Sequence, residues 1–311
     1  MFLEVGVKVL VTGGAGYVGV VLSKALLDQA HKVTILDNFM YGYDSVMHLI
    51  PNHNLSVIKR DIRNDLSDLI KDYDAIFHLA GISGYPACEA NPSAAHYINV
   101  DATRKLVDLL SKDQLLVNAS TTSFYGNTDA ICTEETPIKP TSLYGITKHQ
   151  AEEVMMEREN SISLRFATIF GVSPKMRVDL LANDFAYRAV HERCIVLFEP
   201  LARRTFMHIN DAVQAYLFAL EHSQAMQGHI YNAGKEEMNF TKLEIAEQLK
   251  AITNCELIQT KIDDPDMRSF TISFEKIRQL GYKTTCSMEQ GIEELVELYQ
   301  FYKPFSTYQT I

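Results

Sequence analysis

The sequence predicts an α/β protein: a doubly wound parallel sheet joined to a smaller C-terminal α/β lobe. Short β-branched runs alternate with amphipathic helical stretches through the first half, the pattern of a parallel sheet covered on both faces. The first of these runs stops at a glycine cluster that opens directly into a helical pattern. At 311 residues, without a proline/glycine-rich linker, low-complexity tract or internal repeat, the chain can bury a sizeable core shared by two closely joined lobes.

Val7-Lys8-Val9-Leu10-Val11 is the first strand, and Thr12-Gly13-Gly14-Ala15-Gly16-Tyr17-Val18-Gly19 the turn that follows it. Val18, Val21, Leu22, Ala25 and Leu26 then recur at helical spacing. The glycines read as Gly14-x-Gly16-x-x-Gly19 or as Gly13-x-x-Gly16-x-x-Gly19. In either register the backbone comes close to a pyrophosphate at a helix N-terminus, where the helix dipole favours an anion. A second strand, Val33-Thr34-Ile35-Leu36, ends in Asp37, 18 residues after Gly19. An acid there suits the hydroxyls of an adenosine ribose and repels a 2′-phosphate, so the motif selects NAD over NADP.

Leu55-Ser56-Val57-Ile58-Lys59 is the next strand, with Arg60-Asp61-Ile62-Arg63 at its carboxyl end, and Asp74 to Gly81 is a fourth strand running into a small-residue turn. Ligands of such sheets bind beyond the carboxyl ends of the strands, which places Asp61, Ile62, Leu79, Ala80 and Gly81 on the cofactor side. His78 reads as a core or edge residue. Ser93 to Leu110 has a helical pattern that includes Asn99. Strand Gln114 to Ala119 ends in Ser120-Thr121-Thr122-Ser123-Phe124-Tyr125-Gly126, whose hydroxyls can orient a substrate oxygen or simply bond the local turn.

Ser142 to Glu152 opens a further helix, with Tyr144 four residues before Lys148. At that spacing the two side chains share a face, roughly 5–6 Å apart. A phenol beside an ammonium is a candidate acid/base, because the positive charge favours the phenolate.

Bulk composition narrows the function classes. The chain carries a formal net charge of -10 and no lysine/arginine block, which argues against a broad nucleic-acid surface. Five scattered cysteines without a Cys-x-x-Cys fit reduced thiols and a cytoplasmic protein. Ten histidines include no His-Glu-x-x-His, so no catalytic metal is expected. The N-terminus, interrupted by Glu4 and Lys8, does not read as a signal peptide. No apolar run approaches the roughly 20 residues that span a bilayer, and no membrane role is expected.

The order Gly13-x-x-Gly16-x-x-Gly19, Asp37, Asp61-Ile62, His78-Leu79-Ala80, Ser120-Thr121, Tyr144-x-x-x-Lys148 resembles the extended short-chain dehydrogenase/reductases, specifically the NAD-dependent sugar epimerase/dehydratase family, over nearly the whole chain. The resemblance implies a Rossmann-like fold, an enzyme, an NAD cofactor and a nucleotide-diphosphate sugar as partner. Tyr144 is then the proton donor or acceptor, Lys148 holds the nicotinamide ribose and supports the phenolate, and Thr121 bonds the reacting oxygen. Cofactor contacts are implied at Gly13, Gly16, Tyr17, Val18, Asp37, Asn38, Asp61, Ile62, Leu79, Ala80, Gly81, Asn99, Ser120, Tyr144 and Lys148. Sugar-nucleotide contacts are implied at Thr121, Thr122, Arg177, Asn183, Arg204 and Arg268, the last within Asp266-Met267-Arg268.

Arginines suit a diphosphate on an acidic protein, since guanidinium forks pair bidentately with phosphate. Where many members have asparagine the chain has Thr168, and Thr205 replaces a usual proline. The run Arg165 to Leu180 is similar to a branch that includes C4 dehydrogenases of GDP-linked heptoses.

The expected chemistry is proton and hydride removal at sugar C4, leading to an epimerase, a dehydrogenase or, in reverse, a 4-keto-sugar reductase. A 4,6-dehydratase is disfavoured, because Thr122 and Ser123 stand where those members carry an Asp-Glu pair. A non-catalytic NAD or sugar-nucleotide sensor is the other class, and it has no need of Tyr144, Lys148 and Thr121 together. Gly84 to Cys88 is expected above the sugar, with Cys88 as a packing residue.

The lobe expected to bind NAD is 1–165 plus about 204–235; the substrate lobe is about 166–203 plus 236–311. Likeness to the family further implies a homodimer through the helices containing Leu106–Leu110 and Tyr144–Met156.

Overall fold

The structure, a computed structural model, describes residues 6–262 and 268–304. In chain order its first elements are β1 (Lys8–Thr12), α1 (Tyr17–Asp28), β2 (Lys32–Asp37), β3 (Leu55–Lys59), β4 (Ala75–His78), α2 (Tyr85–Ala90), α3 (Pro92–His96), α4 (Ala102–Leu109) and β5 (Leu115–Thr121). Next come β6 (Ile131–Cys132), α5 (Leu143–Met156), β7 (Ser161–Phe166), β8 (Thr168–Phe170), α6 (Leu181–His191), β9 (Cys194–Leu197), β10 (Arg203–His208), α7 (Ile209–Glu221) and α8 (Ser223–Met226). The remainder is β11 (His229–Ala233), β12 (Asn239–Thr241), α9 (Lys242–Thr253), β13 (Glu256–Gln259), β14 (Thr271–Ile272), α10 (Glu275–Gln279) and α11 (Met288–Tyr299).

Seven strands form one sheet in the order β11-β7-β5-β4-β1-β2-β3, and every neighbouring pair is parallel. This is the Rossmann-like doubly wound arrangement, with the chain reversing its direction of travel between β1 and β4. A crevice opens beyond the strand ends at such a reversal. Alternation along β1 sends Val9 and Val11 into the core under α1 and α7, and Leu10 into the core under α4 and α5. A third core is built around Phe170, Phe206, Ile245, Leu295 and Tyr299. There β12, β10 and β8 make a three-stranded sheet.

One expectation needs correction. The helical pattern from Ser93 to Leu110 is broken, because residues Tyr97–Asp101 form a π-helical turn between α3 and α4. The wider turn carries Asn99 into the interior, where its amide bonds the backbone of Ile82; such turns often mark functional positions. On the helices expected to pair two subunits, Leu106 and Leu110 face the chain's own core together with Val154 and Met155. The outward side shows Tyr97 of the π-helical turn and Ile146 of α5, about 40% and 42% exposed. Among the described residues no helix is long and apolar enough to cross a membrane, and no cluster of His, Cys, Asp or Glu could hold a metal ion.

Candidate functional site

At the carboxyl ends of the central strands lies a cleft of about 300 Å³. Its floor is the turn after β1. Gly13 has φ +70, and a Cβ there would sit 2.7 Å from the Ala80 nitrogen, while one on Gly19 would sit 2.2 Å from the Gly13 carbonyl oxygen. Only glycine permits this packing, which leaves Gly13, Gly16 and the first turn of α1 lining the cleft. The helix starts at Tyr17 with no side-chain cap, so its first N–H groups face the cleft as donors for an anion.

At the end of β2, Asp37 accepts hydrogen bonds from the Ala15 and Phe39 N–H groups at 3.1 and 2.8 Å. Burial raises its pKa, and these bonds oppose the rise. Asn38 donates to Asp61 at 3.0 Å, and Asp61 is held well below the usual carboxylate range chiefly by Arg63. Leu79 and Gly81 line the cleft, whereas Ile62 is packed in the core beneath it.

The opposite wall carries the acid/base group. Ser142 caps α5 by accepting from the Gly145 N–H at 3.2 Å, which fixes the first turn and hence Tyr144. Tyr144 and Lys148 both line the cleft, as do Ser120 and Thr121 from the end of β5. Thr121 Oγ1 accepts from the Ser123 N–H at 3.1 Å and keeps its own proton to donate. The Ser120 hydroxyl is buried without a hydrogen-bond partner, a costly arrangement unless a ligand completes it. Burial brings the Lys148 ammonium down to about 8, partly offset by Glu152 one turn on.

A polar chain links the two walls. Thr103 Oγ1 donates to the Asn99 carbonyl at 2.7 Å, so His78 Nε2 must donate to Thr103 at 3.0 Å, and His78 Nδ1 accepts from Thr12 at 2.8 Å. The histidine is neutral, held down to about 3 by burial, and serves as a strut between β1 and α4. Asn99 continues the chain to Thr147 on α5 at 3.1 Å. Neither His78 nor Asn99 lines the cleft; Asn99 instead positions the turn through Ile82. Cys88 packs with its thiol on the Ile82 carbonyl, pushed up to about 11 by burial.

The expected substrate residues divide. Arg177 and Arg268 line the cleft. Arg177 is paired with Asp179 at 2.5 Å and reaches the Ser83 carbonyl at 3.3 Å. Asn183 is not at the surface of the cleft: its amide bonds Gly171, Tyr17 and the Arg177 carbonyl, so it braces the loop that carries Arg177. Thr122 turns its hydroxyl to the Phe166 carbonyl at 3.2 Å. Arg204 is buried outside the lining, its guanidinium over Phe270. Asp266 and Met267 lie outside the described residues.

Tyr41, Lys175 and Tyr216 line the cleft without having been singled out from the sequence. Tyr216 reads there as an ordinary apolar position of a helix. Lys175 carried a signal only through its place in the run Arg165 to Leu180.

A model of the NAD dependent epimerase/dehydratase family matches residues 9–234. A Bacillus subtilis protein described as an uncharacterized UDP-glucose epimerase is 29% identical over 255 residues, covering 76% of this chain and 79% of the relative. UDP-glucuronic acid decarboxylase 1 of Arabidopsis thaliana is 26% identical, with 93% of this chain and 69% of the relative covered. Among solved structures, UDP-glucuronic acid 4-epimerase from Bacillus cereus, in complex with UDP-glucuronic acid and NAD, superposes with a TM-score of 0.84 at 26% identity, covering 95% of this chain and 100% of the other.

Proposed function

The chain belongs to the NAD dependent epimerase/dehydratase family, and from that premise we propose that it is a UDP-sugar 4-epimerase. The observation that carries the reading is the convergence of Tyr144, Lys148 and Thr121 on one cleft whose other end is the glycine cradle. The residues fit the cofactor: the cradle excludes any Cβ, Asp37 stands at the end of β2, and the Ser120 hydroxyl awaits a partner. NAD, when bound, supplies reversible two-electron chemistry at the sugar carbon.

The chain's own residues supply the rest. Tyr144 as phenolate takes the proton of the C4 hydroxyl, Lys148 stabilises that phenolate, and Thr121 donates to the same sugar oxygen. The phenol can return its proton to that oxygen on the reverse step, so inversion at C4 needs no second acid/base. Loss of water across C5 and C6 would need one, and the two positions that follow Thr121 hold hydroxyls, Thr122, which bonds the Phe166 carbonyl, and Ser123. The named substrates of the relatives are UDP-linked, which supports a UDP sugar over the GDP-heptose suggested by residues 165–180. The substrate's diphosphate is assigned to Arg177 and Arg268. We place the protein in the cytoplasm, in keeping with five unpaired cysteines, as a homodimer paired through the outward sides of α4 and α5.

The test is to incubate the purified protein with UDP-glucose and UDP-glucuronic acid without added cofactor, following products by NMR and absorbance at the NADH band. The expected outcome is the C4 epimer with no lasting absorbance change. Tyr144→Phe should lose about 10²–10⁴-fold in kcat while keeping its nucleotide. A stoichiometric, persistent absorbance rise without epimer would make it a dehydrogenase, and a pentose product a decarboxylase.

A further inference from the structure

The cofactor end of the cleft has a second wall, formed by the loop between β8 and α6. Ser173 Oγ donates to the Tyr17 carbonyl at 2.7 Å, and the Tyr17 hydroxyl donates to the Gly171 carbonyl at 2.7 Å; both contacts are buried. The Lys175 N–H in turn donates to Ser173 Oγ at 3.2 Å. Lys175 therefore leaves the chain two residues from an anchor on the first residue of α1. Its side chain crosses to the loop after β2, where Nζ donates to the Tyr41 carbonyl. The ammonium lies 5.6 Å from the centre of the Tyr41 ring, and Asp37 and Asp44 are the acids that act on it. A lysine from the smaller lobe thus stands on the cleft surface between the N-terminus of α1 and the carboxylate at the end of β2.

A dinucleotide bound with its adenosine ribose at Asp37 and its nicotinamide ribose at Lys148 carries its diphosphate across this stretch. We propose that Lys175 is a ligand of the cofactor diphosphate, meeting it from the wall opposite the glycine cradle. The inference rests on the dinucleotide reading of the cleft but not on which sugar is turned over.

Charge supports it. The open end of α1 supplies N–H donors and only a partial positive charge. The chain is acidic overall, and Asp37 and Asp44 add local negative potential, so two phosphate charges there call for a full cation. Of the other cations on the cleft surface, Lys148 stands one turn from Tyr144 on α5, and Arg177 and Arg268 are the two assigned above to the substrate's diphosphate. An ammonium on a flexible stem presents three rotatable donors, so Lys175 can reach a phosphate oxygen from its place beside the Tyr41 carbonyl. The cofactor seat is then complete only when the loop from Gly171 to Arg177 is docked on Tyr17, because that docking delivers Lys175.

The experiment is calorimetric titration of NAD into the full chain stripped of nucleotide, with no sugar nucleotide present, for wild type, Lys175→Met and Lys175→Arg. Lys175→Met keeps the apolar stem, and circular dichroism checks its fold. The expected result is an affinity for NAD at least about 10-fold weaker for Lys175→Met, with a flatter salt dependence, and within about 3-fold of wild type for Lys175→Arg. Lys175→Met binding NAD as wild type does would overturn the assignment. So would unchanged NAD affinity with a loss of affinity for UDP, which would give the lysine to the substrate nucleotide. Failure of wild type to bind NAD at all would sink the dinucleotide reading together with the proposal, whereas failure of the epimerase assay alone would leave it standing.

Discussion

Lys148 is the residue whose environment most directly predicts behaviour. Burial beside Tyr144 disfavours its charged form and brings it to about 8, while Glu152 pulls the other way. As pH rises through about 8 the ammonium loses its proton, and with it the charge that supports the Tyr144 phenolate. The expected outcome is a fall in kcat/KM above about pH 8, since that ratio reports the free enzyme's essential groups. In Lys148→Arg, whose guanidinium keeps its proton, the fall should move to higher pH even though the rate is lower.

The sign for stability is opposite. The folded value lies below the unfolded one, so between about pH 8 and the ordinary lysine range the unfolded chain binds more protons at this group, which therefore favours folding more as pH rises. Loss of activity in that window is then loss of a charge and not of the fold. Thermal unfolding of wild type against Lys148→Met across the same window separates the two, and a wild-type profile flat through pH 10 would refute the role given to Lys148.

At the scale of elements, α5 is held on the sheet by a polar network that apolar patterning does not reveal. One face of β7 carries Ser161, Ser163 and Arg165, all buried. Arg165 pairs with Glu152 of α5 at 2.7 Å, with side chains only 4% and 3% exposed. Ser163 donates to Glu152 at 2.8 Å, and Arg165 donates to the Tyr125 hydroxyl at 2.8 Å. Tyr125 in turn donates to Asn232 on β11 at 2.7 Å.

Breaking such a pair leaves one buried charge uncompensated, so Arg165→Met should cost about 3–5 kcal/mol, whereas Arg165→Met with Glu152→Gln should cost clearly less. Urea unfolding followed by circular dichroism measures both, and equal losses would show that the pair is not coupled. The sequence exposed α5 through its serine cap and the Tyr144–Lys148 spacing, and β1 and α1 through glycines, because those features are local. It concealed the partner of Glu152, the inward turn of Asn99 and the reach of Lys175 to Tyr41, because each joins residues far apart in the chain: 13 positions for Glu152–Arg165, 17 for Asn99–Ile82 and 134 for Lys175–Tyr41.

For the whole molecule, the parallel sheet was legible because alternation of strand and helix admits few topologies. The face on which two subunits would meet was not, since Leu106 and Leu110 satisfy helical periodicity equally well whether they face the chain's own core or a partner. Their burial leaves the outward surface of α4 and α5, where Tyr97 and Ile146 are exposed and Arg104 pairs with Glu157 across the two helices. Pairing two copies there would set four helices side by side, with Ile146 two residues from Tyr144. A carboxylate placed at that apolar contact would have to be desolvated at a cost of several kcal/mol. Ile146→Glu should therefore sediment as a monomer at concentrations where wild type sediments as a dimer. Its activity should fall with dissociation, because the first turn of α5 loses its outer support, and should recover as concentration rises for any residual dimer. A wild-type chain that sediments as a monomer at micromolar concentration, or an Ile146→Glu variant that remains dimeric, would place the interface elsewhere or remove it.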